Sequence, residues 1–202
     1  VEFLVAGKVA GEERLRVRHL IALVLLEQLR AAAIPDSLRA KIARHVAGGG
    51  SLARLPSPGC GNAKSFPTEY LIRFSHCDPG GIVYFPRFFD MFTTALEDWF
   101  GEALACPWGA ELMGKRRLST PSLAIRVEFL RACRLGETLE FALWPTRVGR
   151  SSIELALAGS GAGEARLRAA WKICMVNGAA VRAVPIPDDL RRRMLGPVPA
   201  GG

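Results

Sequence analysis

Two rhythms of apolar residues divide the chain. In the first part, Leu15, Leu20, Val24, Leu25 and Leu29 mark one stripe at helical spacing. Pro35-Asp36-Ser37 interrupts the stripe and offers helix-starting residues, after which Leu38, Ile42 and Val46 carry a second short helix. The spacing therefore predicts a helical extension over residues 1–47. Gly48-Gly49-Gly50-Ser51 and Pro56-Ser57-Pro58-Gly59 make 48–65 a linker, and a separate domain follows over 66–202.

That second domain opens with a short strand from Glu69 to Phe74 and a loop from Ser75 to Val83. Pro86 stands where a first helical position would be, and Phe85, Phe88, Phe89, Phe92, Leu96 and Trp99 recur at helical spacing. So bulky an aromatic face needs a large apolar surface to cover it. Four alternating segments supply one: Leu123, Ile125, Val127, Phe129; Leu139, Phe141, Leu143; Ile153, Leu155, Leu157; and Ala165, Leu167, Ala169, Trp171, Ile173, Met175. Period two over four segments predicts a sheet with one buried face. The breaks between them, at Arg134-Leu135-Gly136, 145–150 and 159–163, are short, which predicts antiparallel neighbours in a meander. Asn177-Gly178 signals a hairpin into a short strand from Val181 to Val184, and Pro187-Asp188-Asp189 starts a last helix carrying Arg191, Arg192 and Arg193. The fold class is α+β: one strand, one long aromatic helix and an antiparallel sheet wrapped over it.

Composition narrows the function classes. The longest apolar run, Leu20 to Leu26, ends at Glu27, well short of the roughly 20 residues of a membrane span. The opening Val1-Glu2-Phe3-Leu4-Val5 lacks the basic start and long apolar core of a secretory signal, so a cytoplasmic address and no membrane partner are expected. Five cysteines without C-x-x-C spacing and three scattered histidines predict neither a disulfide framework nor a metal site. The net charge is +8, of which residues 1–64 carry +5 (ten basic, five acidic). A basic surface suits a phosphate-bearing partner, nucleotide-like or nucleic acid, and charge alone does not choose between them.

Candidate chemistry concentrates between His76 and Pro86. Asp78 precedes Pro79 and is therefore held extended, and Gly80-Gly81 lets the chain turn sharply beside a ligand. The helix begins a few residues on, and its first N–H groups carry partial positive charge. Such a loop sets a carboxylate beside an anion site, the equipment of acyl transfer. Asp, Pro and Gly are also ordinary turn formers. Cys77 reads as a packed residue, because no basic partner for a thiolate can be assigned. Gly159 to Gly163 resembles a phosphate loop only loosely and reads as a hairpin turn, since it joins two strands.

The run Cys77-Asp78-Pro79-Gly80-Gly81-Ile82-Val83-Tyr84-Phe85-Pro86, followed by the aromatic helix and the strands in that order, resembles the 4-hydroxybenzoyl-CoA thioesterase family of the hotdog superfamily, over roughly residues 66–195. The resemblance implies a hotdog fold that hydrolyses an acyl-CoA thioester, with an aromatic or medium-chain acyl group, to free acid and CoA. It maps the family's catalytic carboxylate onto Asp78 and its oxyanion donor onto the backbone N–H of Phe85, where many relatives have Tyr. His76, Tyr84, Phe89, Thr93 and Thr120 become candidates for the acyl pocket and the thioester. Arg147, Arg150 and Ser151 become candidates for the CoA phosphates. Relatives acting on hydroxylated rings can carry an acidic residue near Thr93, so threonine there removes the reason to name hydroxybenzoyl. CoA enters as part of the substrate, with no separate cofactor. The family's habit of pairing sheets edge to edge implies a dimer or tetramer. The rival expectation is a non-catalytic acyl-CoA-binding module, or a regulator using the basic N-terminal residues; nucleic acid is not the expected partner, since residues 12–47 are short for a helix-turn-helix reader. A hotdog dehydratase is disfavoured because no His lies near the helix start after Asp78.

Overall fold

The computed structural model describes residues 2–20, 24–25, 30–44, 65–180 and 182–196. They belong to two compact units, Val1–Arg54 and Leu55–Gly202.

The first unit departs from the expected helical extension. β1 (Glu2–Val9) and β2 (Glu12–Leu20) form an antiparallel hairpin with Val5 opposite Val17 and Gly7 opposite Leu15. β3 (Val24–Leu25) pairs with β4 (Arg30–Ala31), and only α1 (Asp36–Ala43) matches a predicted helix. Two features explain the difference. Leu15 and Val17 alternate with Arg14, Arg16 and Arg18 at period two, a rhythm that competes with the helical one through Leu15 and Leu20. Ala10 and Gly11 both have positive φ, 51° and 83°, which is the two-residue turn whose twist suits a hairpin. Residues 12–20 therefore supply no helix for a nucleic-acid groove. Leu29, Val46 and all of the linker but Ser65 lie outside the described residues.

The second unit is built on a five-stranded antiparallel sheet. β5 (Phe66–Leu71), β7 (Ser122–Phe129), β8 (Thr138–Val148), β9 (Ser152–Gly161) and β10 (Glu164–Cys174) lie in the order β5-β8-β9-β10-β7. A smaller sheet joins β6 (Leu118–Ser119), β11 (Val176–Asn177) and β12 (Arg182–Ala183). β5 begins earlier than the alternation suggests. It pairs only with β8, and an edge strand tolerates Pro67 because the missing N–H costs no ladder bond. Ala162-Gly163 makes the β9–β10 turn with positive φ at both residues, so the glycine-rich segment is a hairpin.

One expected neighbour relation is wrong. β7 and β8 are consecutive and separated by a short break, yet β7 pairs with β10 and β8 with β5 and β9. Residues 130–137 are a crossover that carries the chain past β10 and β9. Register with Trp171 and Leu167, which stand opposite Ile125 and Phe129, decides the placement of β7.

α2 (Arg87–Asp98) follows Pro86, whose φ of −62° suits a helix entry. Phe88, Met91, Phe92, Ala95 and Leu96 are buried, in one core with Leu139, Phe141, Leu143, Ile153, Leu155, Leu157 and Leu167 of the sheet. The Phe92 and Phe141 rings meet edge-on at 5.6 Å. Each large side chain so buried contributes about 1.5–3 kcal/mol. α3 (Asp188–Leu195) adds Leu190 and Met194 to the same core. Among the described residues no helix is long and apolar enough to cross a membrane.

Candidate active site

The segment between β5 and α2 is a small closed loop. Cys77 bridges Val83, the Asp78 N–H donates to the Ile82 carbonyl at 2.9 Å, and the Gly81 N–H donates to the Asp78 carbonyl at 3.0 Å. Gly81 has φ +72°, a conformation that any residue with a Cβ resists. The Asp78 Oδ1 atom accepts the Gly80 N–H at 2.8 Å. One carboxylate oxygen is thereby anchored on the loop's own backbone. Oδ2 has no protein partner among the described residues. Asp78 lines an open groove together with Ser75, Cys77, Pro79, Tyr84 and Arg87.

α2 starts at the wall of this groove. The Arg87, Phe88 and Phe89 N–H groups donate to the carbonyls of Tyr84, Phe85 and Pro86 at 2.8, 3.1 and 3.0 Å. Phe85, the predicted main-chain donor, directly follows the groove residue Tyr84 and directly precedes Pro86. The Tyr84 and Phe85 rings are both exposed and lie 5.7 Å apart.

The remaining predicted residues scatter around this centre. His76 belongs to the same loop, but its Nδ1 accepts the Arg73 N–H at 3.1 Å and its carbonyl accepts the Tyr84 N–H at 2.9 Å. It thus braces the loop and does not line the groove. Phe89, in the first turn of α2, is half-buried and packs edge-on against Phe92. Thr93 is exposed and its hydroxyl donates to the Phe89 carbonyl at 2.9 Å. Thr120 lies between β6 and β7, buried, with an Oγ1 that has no partner among the described residues. Arg147 and Arg150 are exposed at the β8–β9 turn, with Arg147 4.0 Å from Glu154. Ser151 in the same turn gives its carbonyl to the Met175 N–H at 2.7 Å. None of Phe89, Thr93, Thr120, Arg147, Arg150 or Ser151 lines the groove at Asp78.

The structure adds residues that the sequence reading passed over. Arg87 faces the groove as the first residue of α2, and a basic residue directly after Pro86 was the available signal. Its ion pair with Asp90, 3.2 Å long, is exposed and therefore weak. Arg191 of α3 donates to the Val148 carbonyl at 3.0 Å and also to the Gly149 carbonyl, fixing the turn that carries Arg147 and Arg150. Cys77 sits beside Asp78, but its thiol lies 3.6 Å from the Arg73 carbonyl, as a donor to it. Burial, and after it the Asp78 carboxylate, push that thiol above its usual range, the reverse of what a nucleophilic cysteine needs.

The fold defines the class of protein. The antiparallel sheet around one helix is the hotdog fold of solved thioesterases. A thioesterase-superfamily structure from Jannaschia sp. CCS1 aligns with a TM-score of 0.63 at 23% identity, over 73% of this chain and all of that one. A 4-hydroxybenzoyl-CoA thioesterase mutant, solved with 4-hydroxybenzoyl-CoA, aligns with a TM-score of 0.61 at 21% identity, over 65% of this chain and 99% of that one. A 1,4-dihydroxy-2-naphthoyl-CoA thioesterase from Synechocystis follows at 0.58 and 18%, over 65% of this chain and 96% of that one. No curated protein matches the chain in sequence. The pattern of the Thioesterase-like superfamily covers residues 72–194, and the chain belongs to that superfamily.

Proposed function

We propose that this protein hydrolyses an acyl-CoA thioester, releasing free acid and CoA, with Asp78 as the reacting carboxylate and the Phe85 main-chain N–H as the oxyanion donor. The observation that carries the reading is the divided carboxylate: Oδ1 is held by Gly80 while Oδ2 has no protein partner among the described residues, in a groove whose wall leads into the start of α2. A fixed carboxylate beside a helix N-terminus suits acyl transfer, because the negative charge of the tetrahedral intermediate grows next to the positive end of the helix.

Two routes use the same oxygen. Oδ2 attacks the thioester carbon, expelling CoA thiolate and leaving a mixed anhydride that water opens; or Oδ2 takes a proton from a water that attacks directly. Thiolate is a good leaving group, so neither route needs a strong acid in the groove. The exposed Tyr84 and Phe85 rings would meet an aromatic or medium-chain acyl group. Thr93, in place of an acidic residue, argues against a ring hydroxyl. Arg147, Arg150 and Ser151 would meet the CoA phosphates. The enzyme would act in the cytoplasm as a dimer or tetramer. β7, an edge strand with exposed Leu123 and Phe129, is the natural seam. Sedimentation as a monomer alone at micromolar concentration would refute the assembly.

The test is CoA release from benzoyl-, phenylacetyl-, 4-hydroxybenzoyl- and straight-chain acyl-CoAs at equal concentration. Turnover is expected on the unhydroxylated aromatic or medium-chain members, with 4-hydroxybenzoyl-CoA a poorer substrate. Tight binding of the whole panel without any CoA release would make the protein a binding module instead.

A further inference from the structure

Among the described residues Arg166, on β10, is the only buried charged residue. A buried guanidinium is costly unless paired and hydrogen-bonded, so its partners are informative. Its Nη2 donates to Glu137 Oε1 at 3.3 Å, its Nη1 lies 3.6 Å from the exposed Glu164, and its Nε has no partner among the described residues. The Arg166 carbonyl also accepts the N–H groups of Leu130 and Arg131 at 2.8 and 3.1 Å. Arg166 thus grips the 130–137 crossover at its start through the backbone and at its end through Glu137.

Glu137 divides its carboxylate in turn. Oε1 faces Arg166, and Oε2 accepts the Arg134 N–H at 3.1 Å, reinforcing the turn that the Glu137 N–H closes onto the Arg134 carbonyl. That turn is tied to the Asp78 segment at both of its ends. On entry, Ile72 donates to the Glu137 carbonyl and accepts from the Gly136 N–H, each at 2.9 Å. On exit, the Val83 N–H donates to the Cys133 carbonyl at 2.9 Å and the Leu135 N–H to the Gly81 carbonyl at 3.3 Å. The segment carrying Asp78 leaves and returns to one turn, and the ion pair between buried Arg166 and part-buried Glu137 anchors that turn.

We propose that Arg166 and Glu137 are positioning residues for Asp78, an inference that rests on Asp78 being the reacting carboxylate. Neither touches the groove, and they act by fixing where residues 72 and 81–83 sit. A displacement of about 1 Å in a reacting group costs about 100-fold in rate, so the ion pair governs turnover more than affinity.

The experiment is a cycle on the full chain. Glu137→Gln keeps the side chain's shape and removes the charge facing Arg166. In a variant that still melts cooperatively, kcat is expected to fall about 10- to 100-fold with KM little changed. The same substitution in an Asp78→Asn background is expected to cost nothing further, because a positioning residue has no carboxylate left to place. Asp189→Asn, which breaks the part-buried Arg116–Asp189 pair elsewhere, serves as the control and is expected to lower Tm with kcat intact. If Glu137→Gln does not fold, Arg166→Lys, which keeps the charge opposite Glu137 and loses the guanidinium fork, carries the same predictions. Wild-type kcat in the folded variant, or an equal loss in both backgrounds, would overturn the proposal and leave the Asp78 reading standing. Full activity of Asp78→Asn would overturn both.

Discussion

Asp78 accepts the Gly80 N–H on one carboxylate oxygen at 2.8 Å while its own carbonyl accepts the Gly81 N–H at 3.0 Å. The two glycines therefore hold the side chain and the main chain of the same residue. The carboxylate's direction is set before any substrate arrives, which is the preorganisation that acyl transfer rewards.

Gly81→Ala tests that coupling. At φ +72° an alanine meets no neighbour within 4 Å, yet it pays for a left-handed backbone. The expected loss is about 1–2 kcal/mol of stability, or a relaxed loop that moves Asp78. Urea melts should show the first or steady-state kinetics the second. A variant with unchanged stability and unchanged kcat would contradict the described loop.

The β8–β9 turn predicts a different kinetic signature. Arg147 and Arg150 are exposed and lie outside the groove, so they would contribute to substrate binding without touching the thioester. Replacing both with alanine is expected to raise KM for an acyl-CoA about tenfold, the worth of roughly one charge-assisted hydrogen bond, with kcat unchanged. A short thioester lacking the nucleotide should be indifferent to the change. An equal effect on both substrates would remove these residues from CoA binding.

Acid stability should depend on the pair between α3 and the segment before β6. Arg116 donates to both oxygens of Asp189, at 3.0 and 2.7 Å, and this holds the Asp189 carboxyl below its ordinary range. A group with a lowered folded pKa contributes fully above its unfolded value of about 4 and loses that contribution as pH falls through the folded one. The Tm gap between wild type and Asp189→Asn should be present at pH 6 and close on acidification toward pH 2. A gap that stayed constant would mean the pair does not titrate as described.

Much of this architecture is legible in local pattern. The aromatic spacing from Phe88 to Trp99 marks α2 because one helix face is buried, and the alternation through Leu139, Phe141 and Leu143 marks β8 for the same reason. Asp78-Pro79-Gly80-Gly81 reads as a turn because its residues favour turns chemically. What stays hidden is long-range. Nothing local to Ser122–Phe129 says that its partner is β10, because strand order depends on register with Trp171 and Leu167. The N-terminal hairpin is missed because Leu15 fits two periods and Ala10-Gly11 lacks the usual Asn or Asp of such a turn. Arg166 looks like a surface charge until the fold buries it, and nothing local to Glu137 says that it pairs with Arg166.

Kinetics of Asp78→Asn with an acyl-CoA that the wild type hydrolyses, beside a thermal melt of the same sample, tests the central claim most directly. The substitution keeps the oxygen that accepts the Gly80 N–H and removes the charge. A Tm within a few degrees of wild type is expected, with a loss of most turnover, at least about 100-fold in kcat, as follows when a reacting base or nucleophile is removed. Wild-type turnover by the folded Asp78→Asn protein would contradict the claim.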